Sequence, residues 1–253
     1  MSAVSLRARA LAGDRLLGVL VRMPSEELVE MAAVAGYDFV LVDCEHGPAD
    51  VVPLRQHIAA ARIYGVPVIV RTGSHDSQLI LRALDQGAEG ILAPHLDSVA
   101  DAETLVAASH YPPLGVRGFA AYGRAGRFGE VTAAEHRENF LANTLVLGMI
   151  ESPAGVAAAA DIAAVNGLDG IMLGPADLAA TSGPEDLSLD AATSAVGDAL
   201  VRAGKLHMVI VSDSSAASTA FDGGAQMVVY NLAAALMTHL RALAIRRDRP
   251  EDG

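Results

Sequence analysis

Short apolar runs dominated by Val, Ile and Leu recur along the chain, and between them apolar and polar residues mix at helical spacing. Eight such runs fall at 17–21, 39–43, 66–71, 90–93, 145–150, 170–173, 208–211 and 227–230. Most are almost continuously apolar, the pattern of parallel strands covered on both faces rather than of strands with one wet face. The stretches between them carry helix boundaries. Ser25 stands before 26–35 and Gly36 after it, an N-cap and a C′ glycine, while 55–64, 77–86 and 192–203 run into Gly65, Gly87 and Gly204. Strand and helix alternating in this way predict an α/β fold, a (β/α)8 TIM barrel. A competing open, doubly wound sheet usually begins with a Gly-rich turn. Here the first run passes into Arg22-Met23-Pro24-Ser25, which leaves a dinucleotide site without support.

No composition break or linker divides the chain, so residues 1–253 are expected to form one barrel domain. One stretch departs from the pattern. Residues 111–130, rich in Gly, Pro and Arg, exceed an ordinary connection and are expected to form a lid or a subunit contact. The polar tail 246–253 is expected to fray or to pack on a neighbouring subunit.

With 52% apolar and 19% charged residues, a chain of 253 residues has ample material for one large core. Its net charge of -12 disfavours nucleic acid, which needs a clustered basic surface. Cys44 is the single cysteine, so neither an intrachain disulfide nor a multi-thiolate zinc site can form, and a reducing, cytoplasmic location is expected. Arg7, Arg9, Asp14 and Arg15 interrupt the apolar N-terminal residues, and no later apolar run reaches bilayer-spanning length. Neither a signal peptide nor a membrane partner is expected.

In a barrel of this kind the active site lies at the carboxyl ends of the strands, so the residues that follow each run are the candidates. The second run exits into Asp43-Cys44-Glu45-His46-Gly47-Pro48, the third ends in Arg71, the fifth exits into Glu151-Ser152-Pro153, and the sixth into Gly174-Pro175-Ala176-Asp177. Glu151 and Asp177 follow consecutive strands, whose axes should lie about 5 Å apart, and two carboxylates so placed can grip one hard cation such as Mg2+ or Mn2+. Taken singly, a salt bridge explains Glu151 and helix capping explains Asp177; their matched placement favours the metal. Gly174 to Asp177 also opens a helix whose free N–H groups suit a carboxylate, which makes Gly174, Ala176 and Asp177 candidate substrate contacts. Arg71 is the candidate holder of a carbonyl or enolate oxygen. His46 is the candidate general base, with Asp43 in the same loop expected to hold its ring in one tautomer. Glu45 is expected to anchor the loop. His95, Asp213 and Asn231 occupy comparable strand ends but lack a companion in sequence. Imine chemistry needs a lysine inside the barrel, and the only lysine, Lys205, precedes the seventh run, at the wrong end.

These motifs resemble the class II, metal-dependent pyruvate aldolases of the HpcH/HpaI type, which act on 4-hydroxy-2-oxo acids and 2-keto-3-deoxy sugar acids. The resemblance runs through GYDFVLVDCEHGP ending at Pro48, VPVIVR ending at Arg71, LDQGAEGILAP ending at Pro94, YPPLGVRG ending at Gly118, IESPAG from Ile150 and GPADLA from Gly174. It implies Glu151 and Asp177 as ligands of Mg2+, Mn2+ or Co2+, His46 with Asp43 as the acid/base pair, and Arg71 facing the pyruvate oxygen. It further implies a homo-oligomer, commonly a hexamer arranged as a trimer of dimers, with C-terminal helices exchanged between partners. Two positions depart from the usual pattern: Met149 stands where many relatives carry Gln, and Asn231 where an Asp is common. The expected reaction is reversible aldol cleavage to pyruvate and an aldehyde. The alternatives are cleavage of a CoA ester or decarboxylation of a 2-oxo acid through the same kind of enolate, and a barrel that binds an oxo acid without turning it over.

Overall fold

The computed structural model describes residues 4–47, 51–74 and 76–244. Eight parallel strands close into one barrel in sequence order: β1 (Leu16–Val21), β2 (Phe39–Asp43), β3 (Val68–Arg71), β4 (Gly90–Ala93), β5 (Leu145–Ile150), β6 (Gly170–Leu173), β7 (Leu206–Val211) and β8 (Met227–Asn231), with β8 returning to β1. Around them lie α1 (Leu6–Leu11), α2 (Glu26–Val34), α3 (Val51–Ile63), α4 (Ser77–Asp85), α5 (Val99–Ser109), α6 (Ala133–Asn143), α7 (Pro153–Ala157), α8 (Ala159–Ala163), α9 (Pro175–Thr181), α10 (Leu189–Ala203), α11 (Ser214–Asp222) and α12 (Leu232–Leu243). The expected single (β/α)8 barrel is therefore the fold. Every apolar run is a strand, with small shifts at the starts of β3 and β7. The helices 55–64 and 192–203 begin earlier than read, at Val51 and Leu189; the latter start is set by Ser188, whose hydroxyl accepts the Ala191 N–H.

Side chains alternate along each strand between two cores. Phe39 and Leu41, Ile69, Leu92, and Leu145, Leu147 and Met149 fill the barrel interior, whereas Val40 and Val42, Val68 and Val70, and Val146 and Ile150 pack outward against the helices. Leu6 and Ala10 of α1 join the interior cluster beside Leu16, Leu145, Leu206 and Met227, so α1 plugs the amino-terminal mouth. The same period of two carries Asp43, Arg71 and Glu151 onto the inward face at the opposite, carboxyl rim.

The 111–130 stretch is not a lid over this chain's own rim. Helix α4 descends from the rim, so its last residue, Asp85, marks the amino-terminal end of the barrel, and that is where the stretch is tied. Arg117 lies buried between the rings of Tyr111 and Phe140 and hydrogen-bonds Asp85, and the Ala125 N–H donates to the Asp85 carbonyl at 3.2 Å. The tail 246–253 lies outside the described residues. No described helix is long and apolar enough to cross a membrane.

Candidate active site

Asp43 and Arg71 are register partners on neighbouring strands, and both face the interior. The Asp43 carboxylate, fully buried, accepts Arg71 Nε at 2.9 Å and Nη2 at 2.6 Å in a bidentate fork, and Arg22 Nε at 2.8 Å from the end of β1. Burial alone would raise the Asp43 pKa, but the hydrogen bonds and charge of Arg71 override it and pull the carboxyl below its usual range. Burial would likewise lower the Arg71 pKa, and Asp43, with Glu45 and Glu151, reverses that. The guanidinium is thus charged and immobile. With Nε and Nη2 taken, Nη1 is the nitrogen turned toward Glu45 Oε2 at 3.0 Å and Met149 Sδ at 3.9 Å.

The loop after β2 folds back tightly over this pair. Asp43 Oδ1 accepts the backbone N–H of Glu45 at 3.1 Å and of His46 at 3.3 Å. Gly47 is required for the closure, because a Cβ there would lie 2.3 Å from the Asp43 carbonyl oxygen and 2.9 Å from that of Arg22. The expected pairing of Asp43 with the His46 ring is absent: Asp43 meets His46 through its backbone N–H, its carboxylate being committed to two guanidinium groups. The imidazole is about half exposed, with Nε2 3.8 Å from Glu45 Oε2.

Glu151, 2% exposed, sits one residue past β5 on the interior parity. Its Oε2 accepts the His95 backbone N–H at 3.1 Å and lies 3.2 Å from His95 Nδ1, while His95 Nε2 is 3.7 Å from Glu45 Oε1. Burial raises the Glu151 pKa, and the charges of Glu45 and Asp177 add to the rise against the relief from His95. Gly174 makes room for this carboxylate, since a Cβ there would stand 2.6 Å from Glu151 Oε1. Glu45, His95 and Glu151 present ligand atoms within 4.8 Å of one another. The donor set fits a divalent cation: two carboxylates and an imidazole converge, burial penalises the charged form of Glu151, which a bound cation would favour, and Glu45 Oε2 is buried without a well-directed hydrogen bond.

The model of the HpcH/HpaI aldolase/citrate lyase family matches residues 17–239, which span all eight strands. The chain belongs to this family. The hydroxypyruvate/pyruvate aldolase of Sagittula stellata is 32% identical over 95% of each chain, and the pyruvate aldolase of Rhizobium etli is 35% identical over 93% of this chain and 94% of its own. The crystal structure of the HpcH/HpaI aldolase from Desulfitobacterium hafniense DCB-2 superimposes with a TM-score of 0.88 at 27% identity, over 98% of this chain and 100% of that one.

For this member of the HpcH/HpaI family, the structure brings Asp43, Arg71 and Glu151 together and sets His46 on the loop above them. Asp177 stands in the first turn of α9, close enough for its charge to act on Glu151, but it is not one of the three residues whose ligand atoms converge. The N–H of Gly174 is spent on the Ile150 carbonyl at 2.9 Å, so it offers substrate no donor; Ala176 and Asp177 carry the helix-start N–H groups that lack an intrahelical acceptor. Lys205 donates to the Val165 and Leu168 carbonyls at the amino-terminal end of the barrel, not at the rim that carries Asp43, Arg71 and Glu151.

Three strand-end residues that looked equivalent in sequence separate here. Asp213 caps α11 by accepting the Ala216 N–H, and Asn231 caps α12 by accepting the Ala234 N–H. His95 faces two buried acids. Arg22 was passed over in sequence, although its place directly after β1 was the available signal.

Proposed function

We propose that this protein is a divalent-metal-dependent aldolase that reversibly cleaves a 4-hydroxy-2-oxo acid, or a 2-keto-3-deoxy sugar acid, into pyruvate and an aldehyde. The observation that carries this reading is a buried carboxyl, Glu151, that makes no direct ion pair with an arginine or lysine among the described residues, beside an arginine that Asp43 has locked in place. Bound at Glu151 and Asp177, Mg2+, Mn2+ or Co2+ would supply Lewis-acid polarisation of the 2-oxo group. Arg71 offers Nη1 to the 2-oxo oxygen, and because its other nitrogens are already held, the donor costs no reorganisation as negative charge grows there. The N–H groups of Ala176 and Asp177 receive the substrate carboxylate at the start of α9. The His46 ring, exposed on its loop, takes the proton of the C4 hydroxyl while the C3–C4 bond breaks. The electrons of that bond pass into the pyruvate enolate and the C4 fragment leaves as the aldehyde; return of the proton to C3 completes pyruvate. The names of the Sagittula and Rhizobium relatives support the pyruvate half of this assignment.

Cleavage of 4-hydroxy-2-oxo acids, and exchange of pyruvate methyl protons into D2O, are expected to stop with EDTA and return with Mg2+, Mn2+ or Co2+. Turnover indifferent to chelation would contradict the reading.

The same proposal includes a homo-oligomer, a hexamer or trimer of dimers, acting in the cytoplasm, as cell fractionation would check. Helix α12 buries none of its residues and leaves Met237, Leu240 and Leu243 about half exposed or more, an apolar stripe that calls for a partner. Light scattering of the full chain should give an assembled mass, and Leu240→Glu should lower it; a monomeric wild type would refute the assembly.

A further inference from the structure

On all eight strands the inward residue two places before the rim is apolar, so the site at the carboxyl ends has a floor without a strong hydrogen-bonding side chain. Leu41 lies under Asp43, Ile69 under Arg71, Met149 under Glu151 and Met172 under Gly174, each 3% exposed or less. From this layer Met149 reaches Arg71. Its backbone is fixed by the pairing of β5 with β6, where Met172 is its register partner, and by the Leu96 N–H, which donates to the Met149 carbonyl at 2.8 Å. Its Sδ lies 3.9 Å from Arg71 Nη1, the nitrogen that the aldolase reading gives to the 2-oxo oxygen. A thioether accepts hydrogen bonds weakly and donates none.

We propose that Met149 is a specificity-determining residue: its thioether bears the C3 carbon of the 2-oxo acid donor, so the enzyme takes donors with an apolar C3, pyruvate first, and rejects 3-hydroxy donors such as hydroxypyruvate. The placement follows by elimination. The oxo oxygen goes to Arg71 Nη1 and the carboxylate to the N–H groups of Ala176 and Asp177, which leaves C3 as the part of the donor without a polar partner. C3 is two bonds from the oxo oxygen and so comes within van der Waals reach of a sulfur that lies beside the same guanidinium nitrogen. One face of C3 rests on Met149, and the other is open towards the His46 loop, where the aldehyde carbon must stand for the C3–C4 bond to form. A hydroxyl pressed on the thioether gives up its water for a weak acceptor, and an apolar pocket of this kind discriminates against a hydroxyl in place of a methyl by up to about 10²-fold. This inference rests on the aldolase reading above and adds to it the class of donor.

The test follows exchange of C3 protons into D2O by NMR on the full-length protein, supplied with Mg2+ or Mn2+, for pyruvate, 2-oxobutanoate and hydroxypyruvate. 2-Oxobutanoate carries a methyl where hydroxypyruvate carries a hydroxyl, so the ratio of the two removes size and leaves polarity. In wild type, kcat/KM for 2-oxobutanoate is expected to exceed that for hydroxypyruvate by about tenfold to 10²-fold. Met149→Gln, similar in length but ending in an amide, should lower this ratio by about tenfold or more, whereas Met149→Leu should keep it within about threefold. An amide beside Arg71 Nη1 also draws on that donor, but this slows both substrates and cancels in the ratio. A wild-type ratio near one overturns the assignment without any variant having to fold, and so does Met149→Gln with the wild-type ratio or Met149→Leu with the ratio of Met149→Gln. In each of those outcomes pyruvate still exchanges and the aldolase reading stands. Wild type that exchanges none of the three donors overturns both.

Discussion

Glu151→Gln is expected to reduce cleavage turnover by at least about 10³-fold, equivalent to about 4 kcal/mol of lost transition-state stabilisation, and to remove cation binding seen by calorimetry. The substitution keeps the shape of the side chain in the slot beside Gly174, where there is no spare volume, so the barrel should remain intact. Its effect on stability should run the other way. Glu151 has its folded pKa raised, chiefly by burial. A carboxyl in that state stabilises the fold fully only below its unfolded pKa and loses that contribution as pH rises through the folded value. Near neutrality and without metal, the neutral amide should therefore raise the melting temperature relative to wild type. A variant that is both less active and more stable is the signature of an acid kept for a ligand rather than for folding. Wild-type turnover in the variant would remove the basis of the metal site.

Asp43→Asn should damage both folding and catalysis. The carboxylate has no exposed surface and neutralises Arg71, whose side chain is 6% exposed, while also holding Arg22 and two loop N–H groups. The amide leaves a buried guanidinium without its counter-charge and turns a donor toward other donors, a loss of about 3–5 kcal/mol by denaturant titration. Turnover should fall about 10²-fold or more, because Arg71 is no longer fixed before substrate binds and the loop bearing His46 loses its anchor. The pH dependence separates this from a generic packing defect. Asp43 has its folded pKa depressed by Arg71, so its contribution is present above the unfolded pKa and disappears as pH falls through the lower folded value. Wild type and variant should converge in stability in strong acid and diverge as pH rises. A stability gap independent of pH would mean that the charge pair is not what Asp43 supplies.

The barrel itself was legible in the chain because its signal is local and repeated. Continuous Val, Ile and Leu runs can be satisfied only by strands covered on both faces, and glycines such as Gly36 and Gly204, here at φ of +90° and +63°, punctuate the helices. Asp43, Arg71 and Glu151 were legible for the same reason: a strand end in a parallel barrel is a rim position whatever follows it. Tertiary structure alone decided what each rim residue touches. Asp43 turned from His46 to Arg71 because register pairs those two residues across β2 and β3, a relation 28 residues apart that no local pattern carries. Likewise Asp213, Asn231 and His95 share one kind of sequence context, and only the closing of β4 onto β5 aims His95 at buried acids while the other two cap helices. Periodicity tells which face a side chain takes; the partner across that face is set by strands that meet only when the barrel shuts.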